Sequence, residues 1–180
     1  GVISGVEVVG NSIVLGGPGV RKLVAINDND GSELWSIDKG YNGISLRSVY
    51  SELGLFIQQD LGTRIFHAYS VVDGHELWQS EPLAYPWGSI SPIGSGQAYA
   101  YDRIYLGDYS GRLYCPDGKT GRTLWTYFVG GTSETPYGSN PVSIGCIADG
   151  KVYCYVSDVY QPDPRYRGFT TFAVDAYEGK

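Results

Sequence analysis

Few residues in this chain have the types and spacing to do chemistry: two histidines, three cysteines and one acidic run at 27–33. A calcium loop needs carboxylates and carbonyl oxygens converging on one cation. With Gly31 as the loop glycine, Ile26 falls at the first ligand position and Ile37 at the last, and neither can coordinate. The run therefore reads as a turn. His67 and His75 have no cysteine nearby in sequence, which argues against zinc. There is no Gly-x-Ser-x-Gly elbow, no phosphate-binding glycine loop and no Cys-His spacing of a nucleophile motif. Cys146 and Cys154 flank Asp149-Gly150-Lys151, and a three-residue loop there sets them opposite each other. That arrangement allows a cross-strand disulfide or, alternatively, two small buried residues on one face.

The positive signal is aromatic rather than catalytic. Tyr41-Asn42-Gly43, Tyr85-Pro86-Trp87-Gly88 and Pro136-Tyr137-Gly138-Ser139-Asn140 each set an aromatic beside a glycine. A fourth segment, 158–167, adds Tyr160, Arg165, Tyr166 and Arg167. Tyr, Trp and Arg are the favoured anchors of interfaces. Tyr41, Tyr85, Trp87, Tyr137, Tyr160, Arg165, Tyr166 and Arg167 are accordingly the candidate partner-binding residues. The competing reading is that these rings fill gaps between packed repeats. No catalytic, cofactor-binding or metal-binding residue is assigned, and the chain reads as leaning away from an enzyme.

These segments are positioned by a pattern that recurs four times. It runs through Gly31 to Trp35, Gly74 to Trp78 and Gly121 to Trp125, and ends at Gly179-Lys180. Trp35, Trp78 and Trp125 stand 43 and 47 residues apart, each four residues after its glycine. Repeats of this length are supersecondary units that bury their faces only by stacking. Each period holds extended segments separated by turn residues. They fall at 6–9, 12–15, 22–27 and 32–37, then 45–50, 55–58, 64–70 and 75–79. The third set is 97–101, 103–107, 111–116 and 122–128, and the last is 142–148, 151–157 and 168–175. Four antiparallel strands per period make a propeller blade. The fold class is all-β, a partial β-propeller with blades at about 5–38, 44–80, 97–128 and 142–180, the fourth lacking its outer strand. Gly31, Gly74, Gly121 and Gly179 serve the positive-φ turn, and Trp35, Trp78 and Trp125 seal one blade against the next. Cys115, at the place of Ala25, Ala68 and Ala173, reads as a small core residue.

The segment Gly111-Arg112-Leu113-Tyr114-Cys115-Pro116-Asp117-Gly118-Lys119-Thr120-Gly121-Arg122-Thr123-Leu124-Trp125 resembles the repeat of pyrroloquinoline-quinone-like (PQQ-like) propellers. That repeat runs roughly Gly-x-Leu-Tyr-Ala-Leu-Asp-x-x-Thr-Gly-x-x-Leu-Trp. Ala148-Asp149-Gly150-Lys151-Val152-Tyr153 matches the inner hairpin, and the likeness covers nearly the whole chain. Such propellers close with seven or eight blades. The resemblance thus implies part of a longer chain, with the remaining blades or another copy completing the ring. It also implies a location outside the cytoplasm, periplasmic, secreted or at the cell surface. Quinoprotein dehydrogenases of the family carry PQQ, calcium and a vicinal Cys-Cys pair, and no such pair occurs here. Outer-membrane assembly lipoproteins of the family use their propellers for partners.

Composition narrows the classes further. Hydrophobic residues are 42% and charged residues 18%, which supports a packed interior. A net charge of −6 argues against nucleic acid, which needs clustered Lys and Arg. No apolar run approaches the roughly 20 residues of a membrane helix. The expected function is a non-catalytic PQQ-like module for protein or glycan binding, without a cofactor in this segment. Two alternatives stand beside it. One is a segment of a PQQ-dependent oxidoreductase with its catalytic blades elsewhere, and the other is a structural repeat of a cell-surface assembly.

Overall fold

The computed structural model describes residues 5–16, 20–60, 62–83, 97–108, 111–128, 142–157 and 169–180. The chain divides into two units, 1–83 with 119–121, and 84–118 with 122–180. Every strand pairing in both is antiparallel.

In the first unit, strands β1 (Gly5–Val9), β2 (Ser12–Gly16), β3 (Val20–Asn27), β4 (Glu33–Tyr50), β5 (Leu55–Asp60), β6 (Ile65–Ser70) and β7 (Glu76–Gln79) form one sheet in sequence order. Two blades are joined through β4. Its first half is the outer strand of blade one, with Trp35 opposite Ala25. Its second half is the inner strand of blade two, with Tyr50 opposite Leu55. The hand-over occurs at Gly43, which pairs with Val20 on one side and Asp60 on the other. The chain therefore passes 41–43 as strand, where Asn42-Gly43 suggested a loop. Gly43, paired on both edges, needs no turn there.

The second unit holds a four-stranded sheet of β8 (Gln97–Ala100), β9 (Arg103–Gly107), β10 (Arg112–Pro116) and β11 (Thr123–Phe128). Beside it stands a three-stranded sheet of β12 (Val142–Ala148), β13 (Lys151–Ser157) and β14 (Phe169–Asp175). The described strands thus make three complete blades and three strands of a fourth. The only helical turn among the described residues is the 3-10 segment Ser51–Leu53.

Burial explains the strand sequences. Middle strands are covered on both faces, so β5 and β9 carry runs such as Leu55-Phe56-Ile57 and Ile104-Tyr105-Leu106 instead of alternation. Outer strand β7 is exposed except at Trp78. The cores are Val14, Leu23, Ala25, Phe56, Tyr69 and Val71 in the first unit. In the second they centre on Tyr105, Leu113, Cys115, Val142, Val152 and Val174. Cys115 is fully buried, as a small core residue should be. Gly107 is required by close approach: a Cβ there would run into the Val142 carbonyl. On β1, Val6 and Val8 remain 57% and 65% exposed.

The β12–β13 hairpin corrects one expectation. Its turn has two residues, Asp149 and Gly150, both at positive φ, with Ala148 opposite Lys151. A bulge between Ile144 and Cys146 shifts the register further. Cys146 therefore faces Tyr153, and Cys154 faces Ile144. Both thiols are free, Cys146 exposed and Cys154 buried, so they are neither a disulfide nor a buried pair.

Candidate functional site

Of the eight candidate partner-binding residues, Tyr41 is described; Tyr85, Trp87, Tyr137, Tyr160, Arg165, Tyr166 and Arg167 lie outside the described residues. Tyr41 is half-buried on β4, and its hydroxyl is 3.0 Å from that of Tyr69. Its ring stacks on His67 at 4.5 Å and 25°. The row continues through Tyr69 at 6.3 Å, Phe56 at 5.5 Å and Trp35 at 6.1 Å. Alternation aligns these rings. Phe56 and Gln58 on β5 pair with Tyr69 and His67 on β6, so all four share one face.

The Tyr41 end of this row is polar. His67 Nδ1 lies 3.0 Å from Glu76 Oε2, and Lys39 Nζ donates to Gln58 Oε1 at 3.4 Å. His67 Nε2 is buried with no partner, as are both amide atoms of Gln59. Burial, then the bond to Tyr69, pushes the Tyr41 hydroxyl far above its ordinary range. Burial raises Tyr69 to about 12 and lowers Lys39 to about 8. The cluster can hydrogen-bond and stack. Among the described residues no three His, Cys, Asp or Glu side chains gather to hold a metal. Sequence reasoning named Tyr41 but missed Lys39, Gln58, Tyr69 and Glu76. The available signal was the period-two alternation of Phe56, Gln58 and Asp60 against Ile65, His67 and Tyr69.

The seven motif residues show how the blades are locked. Gly31, Gly74, Gly121 and Gly179 have φ of 72°, 74°, 71° and 70°. A Cβ at Gly74 would come within 2.6 Å of the Trp35 ring, and one at Gly179 within 2.6 Å of Trp125. Gly121, whose Lys119–Gly121 turn belongs to the first unit, is covered still more closely by Trp78. Each indole thus lies flat on the glycine of the following repeat. Trp35 Nε1 donates to the Val71 carbonyl at 3.3 Å and Trp125 Nε1 to that of Ala176 at 3.2 Å, both three residues before the covered glycine. Tyr105 and Arg103 donate to the same Ala176 oxygen, each at 3.2 Å. Trp78 is buried, while Trp35 and Trp125 are half-buried. Gly31 has nothing within 4 Å of its Cβ position.

The acidic run is an ordinary turn. Asp30 Oδ1 accepts from Ser32 N at 2.9 Å and Ser32 Oγ at 2.6 Å, which holds its carboxyl below the usual range. Asp175 does the same with the amides of Tyr177 and Glu178, both at 2.8 Å.

Buried acids give a pH prediction. Burial raises Cys115 and Cys154 from 9.0 to about 12, and Tyr69 from 10.0 to about 12. Below pH 9 these groups are neutral in both folded and unfolded chains. Above it the unfolded chain ionises first, so stability falls as pH climbs from 9 toward 12. Melting temperatures measured between pH 7.5 and 11 should decline above pH 9, less steeply in Cys115→Ala. A flat profile would contradict the assignment.

A family model described as outer membrane protein assembly factor BamB, of the PQQ-like repeat type, matches residues 61–168. No curated protein matches the chain. Among solved structures, BamB from Moraxella catarrhalis superposes with a TM-score of 0.59 at 17% identity, over 98% of this chain and 62% of that one. A europium-containing methanol dehydrogenase gives 0.68 at 17% identity, over 98% and 40%. The computationally designed Ika8 protein gives 0.67 at 16%, over 99% and 47%. This chain thus spans about half the length of such structures. An assembly factor, an oxidoreductase and a designed protein share the blades, so the likeness carries fold and no single activity. The matched model, the strand topology and the repeated tryptophan–glycine contact agree that the chain belongs to the PQQ-like propeller family typified by BamB.

Proposed function

We propose that this chain is a non-catalytic propeller module, located outside the cytoplasm, that binds a protein or glycan partner through the blade end carrying Tyr41. The observation that carries this reading is the match to an outer membrane assembly factor over residues 61–168. The clustering of Tyr, Trp and Arg in the segments around Tyr85, Trp87, Tyr137 and 160–167 supports it. The turns at Asp30 and Asp175, by contrast, spend their carboxylates on their own backbone.

A photo-crosslinking residue placed at 87 and at 165, in cells of the source organism, tests the reading. Adducts are expected from both positions and not from the turn positions 30 and 119. Equal adduct yields from both sets would sink it. The module is also proposed to bind no PQQ on its own. Titrating PQQ with calcium should leave the fluorescence of the four tryptophans without saturable quenching; micromolar binding would favour an oxidoreductase segment instead.

A further inference from the structure

The first repeat lacks an indole that the other three have. Its turn is built as theirs are: the amides of Asn27, Ser70, Asp117 and Asp175 donate to the carbonyls of Ser32, His75, Arg122 and Lys180 at 2.8 to 2.9 Å. Gly74 and Gly121 are buried and Gly179 half-buried, each under an indole, whereas Gly31 is exposed with open space where a Cβ would stand. The acceptor for the indole proton has its counterpart too. Val71 and Ala176, whose carbonyls accept from Trp35 and Trp125, stand three residues before their glycines and are buried. Asp28 stands three residues before Gly31 and is exposed.

The sheet face belonging to this turn is apolar. Pairing aligns Val6 with Leu15 and Val24, and Val8 with Ile13 and Ile26, so all six share one side of blade one. Val14 and Ala25 take the other side, in the core with Trp35. Val6 and Val8 are exposed and the other four are half-buried. A shift of 43 residues, that from Gly31 to Gly74, takes Ile13 to Phe56 and Ile26 to Tyr69. Those two are each 3% exposed, and Trp35 stacks on Phe56 at 6.1 Å. Ile13 and Ile26 thus hold in blade one the places that are covered in blade two.

We propose that this face, with the Gly31 turn, is the docking surface for a further PQQ-like blade whose outer strand carries Gly-x-x-Leu-Trp. The indole of that blade lies on Gly31 and donates to the Asp28 carbonyl, and its apolar face covers Val8, Ile13 and Ile26. A second copy of residues 1–180 does not suit the site, because its own Leu-Trp pairs are already seated on Gly74, Gly121 and Gly179. The occupant is a blade on polypeptide outside these residues, in keeping with a chain that spans about half the length of the similar structures.

The chain contains no methionine. Val8→Met in the full natural protein, grown with photo-methionine, therefore puts a single diazirine of this chain on the face. Illumination and peptide mapping should link residue 8 to a blade that carries Gly-x-x-Leu-Trp outside residues 1–180. Val72→Met, at an exposed turn position, should form no such link. Gly31→Val fills the space of the indole and should lower the yield about tenfold. Gly54→Val has a similar backbone at φ 64° and equally open space in blade two, and should leave the yield unchanged. Links from residue 8 to a second copy of residues 1–180, to a protein without the motif or to no protein at all, in protein with a native circular dichroism spectrum, overturn the proposal. A yield in Gly31→Val no lower than in Gly54→Val does so as well.

Discussion

Gly121→Val should lose about 4 kcal/mol of stability and melt roughly 8–16 °C lower, as read by thermal circular dichroism. Two effects add. At φ 71° a β-branched residue is strained by about 1–2 kcal/mol. Its Cβ also enters the space of the Trp78 ring, and Trp78 is only 8% exposed. Displacing a buried indole forfeits much of the roughly 3–5 kcal/mol that such a side chain contributes. Gly31→Val is the internal control. It has the same backbone at φ 72° but open space at the Cβ, so only the strain of about 1–2 kcal/mol applies. The difference between the two variants measures the indole contact. Equal losses would mean that the contact contributes nothing.

Trp87→Ala and Arg165→Ala should do the opposite. Each is expected to reduce partner crosslinking or affinity about thirtyfold, the effect of losing roughly 2 kcal/mol at an interface anchor. Melting temperatures should change by less than about 2 °C, as for surface substitutions of small stability effect. A large drop in melting temperature for Trp87→Ala would instead assign that ring to packing between blades.

The fold was legible because its punctuation is local. Gly31, Gly74 and Gly121, each at positive φ, are followed by the Leu-Trp of an outer strand, and strand boundaries came out close to those observed. What the sequence hid was register and hand-over. Asn42-Gly43 has turn chemistry, yet in β4 pairing on both sides keeps it extended. Asp149-Gly150 was read as part of a three-residue loop; as a two-residue turn it moves Cys146 opposite Tyr153. Within the candidate site, Tyr41 stood out by type. Lys39 and Tyr69 did not, because contacts across 19 and 28 residues, made by strand pairing and not by local spacing, bring them to Gln58 and Tyr41; Glu76 joins through His67 on the neighbouring strand. His67 was weighed only as a zinc ligand, whereas its place is in a stacked row beneath Tyr41.

The most direct measurement of the central claim is fluorine NMR of the protein with its four tryptophans replaced by 5-fluorotryptophan. Single Trp→Phe variants assign the resonances, and the shift between light and heavy water reads the exposure of each ring. A binding end that presents Trp87 predicts a full solvent shift for Trp87 and almost none for Trp78, with intermediate values for Trp35 and Trp125. A Trp87 resonance as shielded as that of Trp78 would contradict the account and return that aromatic end to packing alone.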